Sequence, residues 1–542
     1  MRIEIIMTAK LFNRLPYGIS DTTQTENDAY DDKTHFIEAP HSINAAIVLP
    51  SSKSISNRAL ILNALCPNPK PIHNFSVCDD TDVVIKALNG KQEIIDVGAA
   101  GTAMRFLTAY FAGQQGHHII TGTKRMKNRP VKLLVEALRT VGAQIDYLEK
   151  DGFPPLRIEG QTLNGGEIEL DGSVSSQFVS ALLMMAPVMT NGLRLHLTGR
   201  IISASYIYIT SQLMRQFGVT VFEVNQTFSI PHQSYASPDN FTVESDWSAA
   251  SYWYEIVALC PNEKATVSLQ GLRADSLQGD AAIVQLFDKL GVNTSFTSSG
   301  AILTKKPRTL NGPLNYDFIL IPDMAQTVAV TCVMLQIPFR FTGLQSLKIK
   351  ETDRLAALRT ELSKLGYLLE IHDDNTLEWK GEHYRQDTLS ATDQKIHIAT
   401  YEDHRMAMAF APVALCMKNG IHIANPEVVS KSYPSFWNDL KKANFKVRPV
   451  VDANCCALYE MCELNGLPAT LKEKIDYFDD EELDQYRGIT SDKHSVKAIE
   501  EFCEVLYTMQ AKEVRDWLHS LQLRDIHLPD QLKDEVLLII NN

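Results

Sequence analysis

Eight cations sit at turn-like positions beside small or hydroxyl residues. They are Lys53 and Arg58 in SSKSISNRAL, Arg105 in GTAMRF and Arg129 in RMKNRP. Lys350 and Arg354 follow in KIKETDRL, Arg405 in EDHRMAM and Lys431 in SKSYP. The chain as a whole is acidic, with a formal net charge of -13. Dispersed cations on an acidic background point to one anionic small-molecule site, whereas a nucleic-acid groove would show a broad basic surface.

Candidate acids and bases lie among them. KIKETDRL places Glu351 and Asp353 between two cations ahead of an amphipathic helical stretch. A carboxylate at a helix mouth beside cations suits proton transfer if its pKa is tuned. YEDHRMAM joins Asp403, His404 and Arg405, where the imidazole could orient a substrate or relay a proton. Asp323 follows Pro322 just before an apolar helix, a place for an N-cap or for a base facing a cleft. DGSVSSQF offers Ser173, Ser175, Ser176 and Gln177 as hydrogen-bonding groups for phosphate or sugar-like hydroxyls. No GxSxG elbow surrounds these serines. GxxxxGK[ST] is absent, and so is a GxGxxG following a strand, which argues against ATP and dinucleotides.

The positioning elements recur. An amphipathic helix, a Gly or Asn stop and a short alternating strand repeat at Gly142, Gly218, Gly291, Gly366 and Asn444. The stops are 76, 73, 75 and 78 residues apart, and an earlier copy ends near Asn89, only 53 residues before Gly142. A period near 75 fits repeated α/β units in compact domains. Two helix starts, SSKSISNRAL and AAGTAMRF, would present N–H groups to an anion. From about residue 446 the pattern changes to an appended helical module, with Val496, Ile499, Phe502, Val505 and Leu506 on a packed face.

The 542 residues imply more than one core. Nine scattered cysteines, with only Cys455 and Cys456 adjacent, fit a reducing cytoplasm and neither a disulfide framework nor a structural zinc site. MRIEIIMTAKLFNRL reads as neither a signal peptide nor a membrane span, and the following polar stretch reads as a mobile leader.

Taken in order, LPSSKSISNRAL, DDTDVVIKAL, GAAGTAMRFL, RMKNRP, DGSVSSQF, SYIYIT, ESDWSAASYW, LQGD, IPD, KIKETDRL, YEDHRMAM and SKSYP resemble the 3-phosphoshikimate 1-carboxyvinyltransferase (EPSP synthase) family over roughly residues 37–443. That resemblance implies a two-lobed, inside-out α/β barrel-like fold of the enolpyruvyl transferases, with three βαβαββ units per lobe and helices within. It implies a phosphoenolpyruvate-side lobe from 37–50 plus 245–445 and a shikimate 3-phosphate-side lobe over 51–244, while the polar leader over 1–36 and the helical extension over 446–542 lie outside it. Two hinge strands would join the lobes, and anionic ligands would draw them shut.

The activity implied is transfer of the enolpyruvyl group of phosphoenolpyruvate to the 5-hydroxyl of shikimate 3-phosphate, with no cofactor and no metal. By resemblance, Lys53, Ser54, Arg58, Ser175, Ser176, Gln177, Ser203, Tyr206, Asp323, Ser346 and Lys350 hold shikimate 3-phosphate. Lys53, Gly101, Arg129, Gln177, Arg354, Arg405 and Lys431 surround phosphoenolpyruvate. Asp323 and Glu351 are the proton-transfer groups, with Lys53 and His404 assisting. Glyphosate is expected to compete with phosphoenolpyruvate. Expected partners are these small molecules, with no nucleic acid and no membrane, in a cytoplasmic monomer unless the extension pairs two chains.

Ala99 stands where the family often has Asn, and Ser346 where relatives can have Asn. The sister transferase acting on UDP-N-acetylglucosamine uses a loop cysteine, and none lies between Arg105 and Arg129. A catalytically dead scaffold is disfavoured by the joint presence of Lys53, Asp323, Glu351, His404 and the arginines.

Overall fold

The computed structural model describes residues 33–90, 92–173, 175–383, 396–450 and most of 477–539, excepting 479, 492, 510–512, 525, 534–535 and 537–538. Most of the polar leader, the Cys455–Cys456 pair and the first part of the helical extension lie outside the described residues.

One repeat unit shows the pattern in full. Strand Ile94–Asp96 leads through helix Gly101–Ala112 to strand Gly116–Thr121, which pairs parallel to it with Ile95 opposite Ile120. Helix Lys132–Thr140 ends at Gly142, and the hairpin Gln144–Tyr147 and Leu156–Gly160 completes the sheet. The last strand inserts beside the second, antiparallel to it. The stops at Gly142, Gly218, Gly291, Gly366 and Asn444 all adopt positive φ, between 67° and 104°. This left-handed turn reverses the chain out of each helix with little strain at glycine.

Four further sheets have four strands in the same spatial order. One of them borrows its fourth strand, Thr34–Glu38, from the start of the described chain and lodges it between Ile421–Ala424 and Lys446–Val450. The strand begins inside the segment set aside as leader, and its partner continues past the boundary expected at 445. The sixth copy is shortened. Helix Asp79–Asn89 stops at Gly90 with φ -86°, and the chain passes straight to Ile94 of the next sheet. Its sheet is therefore only Ile72–His73 paired with Phe241–Thr242. The missing hairpin accounts for the short 53-residue spacing.

The helices lie inside because several are apolar all round. Twelve of the thirteen residues of Trp247–Leu259 are buried, and so are nine of the ten in Ala325–Met334. Strands such as Asn44–Val48 instead alternate buried and exposed residues, the mark of a sheet with one face in water. Among the described residues none of the six sheets closes into a barrel.

Two separate cores result. One gathers Ile37, Ile43, Ile47 and Leu49 with residues from Trp247 to Val447, and the other spans Ile55 to Val243. The chain crosses between them twice, and the crossings pair with each other. Ser51 bridges Ser245, Ser52 N–H donates to the Glu244 carbonyl at 2.8 Å, and Asp246 N–H donates to the Pro50 carbonyl at 2.9 Å. Gln278 ties this double strand, accepting from Ser52 Oγ and Trp247 N–H and donating to Glu244 and the Ser245 carbonyl.

A third core forms in the extension from Leu483, Phe502, Val505, Leu506 and Trp517. Buried Asp480 accepts from Trp517 Nε1 at 2.8 Å and pairs with Arg524. Val496, expected on the packed face, is 74% exposed. It occupies the first helical position after the Ser495 cap, one turn short of the core, and Ile499 is only partly buried. Among the described residues no helix is long and apolar enough to cross a membrane.

Candidate active site

A cavity of about 310 Å³ opens between the two large cores. From the 51–244 part it is lined by Lys53, Ser54, Arg58, Gly101, Arg129, Ser175, Ser176, Gln177, Ser203 and Tyr206. Asp323, Ser346, Lys350, Glu351, Arg354, His404 and Arg405 line the opposite wall. Lys431 lies behind this wall, 2.9 Å from Glu351 Oε1, and its ammonium reaches across the cleft to the Ala99 carbonyl at 3.0 Å. The sequence-named residues thus converge, although they are spread over almost 380 positions.

Helix starts deliver them. Lys53, Gly101, Ser176, Arg354 and His404 each occupy the first position of a helix. Ser52, Ser175, Asp353 and Asp403 cap four of those helices through their side chains, while the one beginning at Gly101 has no side-chain cap. The N-terminal dipoles make the cavity favourable to anions. Ser203 precedes helix Ala204–Gln216 with φ 55°, a strained left-handed conformation for serine. Its N–H donates across the cleft to the Ile319 carbonyl at 2.8 Å.

Arg354 is the centre of the opposite wall and is 1% exposed. Its guanidinium donates to Asp403 Oδ2 at 2.6 Å, Asp323 Oδ1 at 2.9 Å and Glu351 Oε2 at 2.9 Å. The guanidinium is therefore shared among three carboxylates, and it orders them before it can serve a ligand. Arg58 is similarly committed within its own wall, donating to Thr210, Ser180 and the Ser54 and Tyr206 carbonyls. Asp323 does not cap the helix it precedes. It accepts from Arg354, Arg405 and the Tyr206 hydroxyl and lies 3.5 Å from Lys350 Nζ.

The electrostatics follow. Burial alone would raise the Asp323 and Glu351 pKa values, yet both are held well below the carboxylate range. Arg405, Lys350 and Arg354 outweigh burial at Asp323, and Lys431, Arg354 and Arg129 do so at Glu351. His404 is kept neutral, first by burial and then by Lys53 and Arg405. Burial opposes the charge on Lys53, but Asp80, 2.9 Å away, and Cys78 raise its pKa overall. Several buried polar atoms lack a hydrogen-bond partner: both His404 nitrogens, Ser346 Oγ, Gln345 Oε1, and the Nε atoms of Arg105 and Arg129. All six atoms belong to residues lining the cavity, so the site is suited to a polar ligand that satisfies them.

Several contributors were not among the sequence-named site residues. Asp80 pairs Lys53, Thr102 accepts from Gln177 Nε2 at 3.2 Å, and Ser248 links Arg405 to Asp280. Burial, with Asp323 nearby, pushes Asp280 up to about 6. Each falls inside a quoted motif (DDTDVV, GTAMRF, ESDWSAA, LQGD), so the signal was proximity to a motif and not the residue type.

The family model for "EPSP synthase (3-phosphoshikimate 1-carboxyvinyltransferase)" matches residues 88–440. A 3-phosphoshikimate 1-carboxyvinyltransferase of Bacteroides fragilis is 54% identical over 415 residues, 76% of this chain and 98% of that protein. One from Aliivibrio fischeri is 37% identical over 428 residues, 74% of this chain and 97% of its own length. An EPSP synthase structure from Acinetobacter baumannii superposes with a TM-score of 0.60 at 22% identity, covering 77% of this chain and all of that one, which speaks to the fold. Sequence kinship across the cavity-forming part of the molecule and a shared fold place this chain in the EPSP synthase family.

Proposed function

We propose that this protein transfers the enolpyruvyl group of phosphoenolpyruvate to the 5-hydroxyl of shikimate 3-phosphate and releases phosphate. The observation that carries this reading is the pairing of Asp323 and Glu351 on one arginine, at the wall of a cation-lined cavity between two lobes. The 54% identical Bacteroides fragilis relative bears the name of that activity.

Asp323 takes the proton of the attacking hydroxyl as its oxygen bonds to the central enol carbon. Glu351 gives a proton to the methylene carbon in the same stage, so the tetrahedral adduct carries no new charge on carbon. In the second stage the carbon–oxygen bond to phosphate breaks, the methyl proton returns to Glu351, and the Asp323 proton leaves with phosphate. Arg129, Arg405, Lys350 and Lys431 offset the charge of two phosphorylated ligands. Lys53 and His404 stand beside the phosphoenolpyruvate position, where they steer protons and phosphate. Closure over the ligands removes water and strengthens each of these interactions.

The anions also resolve a conflict in the field of these cations. Glu351 must hold a proton to act as an acid, yet Lys431, Arg354 and Arg129 keep it ionised. Phosphoenolpyruvate, by engaging Lys431 and Arg129, weakens their hold on Glu351 and raises its pKa. Binding is thus accompanied by proton uptake.

The test is phosphate release by the purified protein. Release is expected only with both shikimate 3-phosphate and phosphoenolpyruvate present, and folded protein that releases none with both overturns the reading. A second expectation concerns Gly101. A Cβ there would stand 2.6 Å from Arg129 Nη1 and 2.8 Å from its Nη2. Gly101→Ala must displace the guanidinium, so KM for phosphoenolpyruvate is expected to rise about tenfold, with a smaller fall in kcat, as for one weakened charged hydrogen bond. Steady-state kinetics at varied phosphoenolpyruvate check this.

A further inference from the structure

We infer that Arg125, which lies outside the cavity, is a positioning residue that clasps the two lobes and sets the backbone of Glu351. Its Nε donates to the Glu351 carbonyl at 3.0 Å and its Nη2 to the Lys350 carbonyl at 3.1 Å. These acceptors lie on the opposite lobe, 226 and 225 residues away in sequence. Parting the lobes breaks both bonds together.

The anchor on the near side is firm. Arg125 belongs to the short helix Lys124–Lys127, capped by Thr123 Oγ1 and pinned by Met126, which is 1% exposed within the lobe core. The same segment carries Arg129, whose charge acts on the Glu351 carboxylate. One stretch of the 51–244 lobe, from Arg125 to Arg129, therefore addresses Glu351 twice, at its carboxylate from within the cavity and at its backbone from outside. A planar guanidinium can hold two consecutive carbonyls in one fixed geometry, and an ammonium cannot. The consequence is that Glu351 is fixed for proton transfer only when the lobes are together. Arg125 is exposed and does not line the cavity, so its effect is separable from ligand contact.

The inference rests on the enolpyruvyl-transfer reading, and two variants test it. Arg125→Ala is expected to lower kcat/KM about tenfold, the loss expected for two exposed hydrogen bonds. Circular dichroism of the variant should match wild type. Small-angle scattering should show Arg125→Ala with a larger unliganded radius of gyration than wild type, and with compaction that needs about tenfold more of the two substrates. Arg125→Lys should behave like Arg125→Ala. Full rescue by lysine means that charge alone acted, and overturns the clasp. Unchanged kinetics together with unchanged scattering in Arg125→Ala overturns it as well. Wild-type protein that releases no phosphate overturns the functional reading instead, while the unliganded scattering still decides the clasp.

Discussion

Glu351→Gln is expected to lower kcat by about three orders of magnitude while phosphoenolpyruvate binding stays within a few-fold of wild type, and Asp323→Asn should behave alike toward shikimate 3-phosphate. Positioned acid–base groups are worth roughly 10²–10⁴ in rate. Both carboxylates are expected to sit at the reacting bonds, so their loss acts on the transition state and not on ground-state affinity. The amides keep the size of the side chains, and an amide oxygen can still accept from Arg354, which now contacts Glu351 Oε2 and Asp323 Oδ1. What disappears is the capacity to give or take a proton.

Glu351→Gln also removes the carboxylate that Lys431 pairs with at 2.9 Å, so that ammonium becomes more available to an anion. The variant should therefore bind phosphoenolpyruvate no more weakly than wild type, and it should lose the proton uptake that accompanies binding. Calorimetry in two buffers of different ionisation enthalpy reads the proton count, and single-turnover phosphate release reads the chemical step. A Glu351→Gln enzyme with kcat within fivefold of wild type would remove Glu351 from its assigned role, and the same outcome for Asp323→Asn would remove Asp323.

Much of this arrangement was legible in the chain because it depends on local signals. A glycine after an amphipathic helix announces a left-handed stop, and five stops at near-equal spacing announced a repeated unit. Hydroxyl-rich starts such as SSKSIS announced helix N-termini. What the chain could not display is which charges pair. Asp323, Glu351 and Asp403 come from three segments, and only the packing of their helix mouths makes Arg354 common to them. Arg58 lines the cavity as expected, but that Thr210 and Ser180 hold its guanidinium from two other helices is not visible in its own motif. The shortened sixth unit was visible only as an irregular spacing, because a missing hairpin leaves no residues to read. At Val496 the helical period held but the helix start did not reach the core, so periodicity alone placed one residue too many inside.

Arg354→Met is expected to destabilise the protein by about 3–5 kcal/mol at neutral pH, the cost of leaving buried partners of an ion pair without their counter-charge. Methionine fills the channel of the arginine stem, so the loss reports the charge and not a cavity. Three carboxylates then face one another, with Lys350, Arg405 and Lys431 left to compensate. The pH dependence identifies the cause. Folded-state pKa values of Asp323 and Glu351 lie well below their unfolded values. Depressed carboxylates contribute stability that is fully present above the unfolded pKa, near 4, and is lost as pH falls through the folded pKa. In Arg354→Met the depression shrinks, so that contribution is already diminished at neutral pH. The stability gap between wild type and variant should therefore be widest above about pH 5 and should narrow as the pH falls below about 4, where the variant's carboxylates take up protons while those of the wild type stay ionised. Urea midpoints followed by circular dichroism from about pH 3 to about pH 8, roughly one unit below that value to four above it, measure it. Adding Asp403→Asn to Arg354→Met should recover part of the loss, because one of the unpaired charges is removed with its partner. A gap that is constant with pH would assign the cost to packing, and would show that Arg354 is not one of the counter-charges that keep Asp323 and Glu351 ionised.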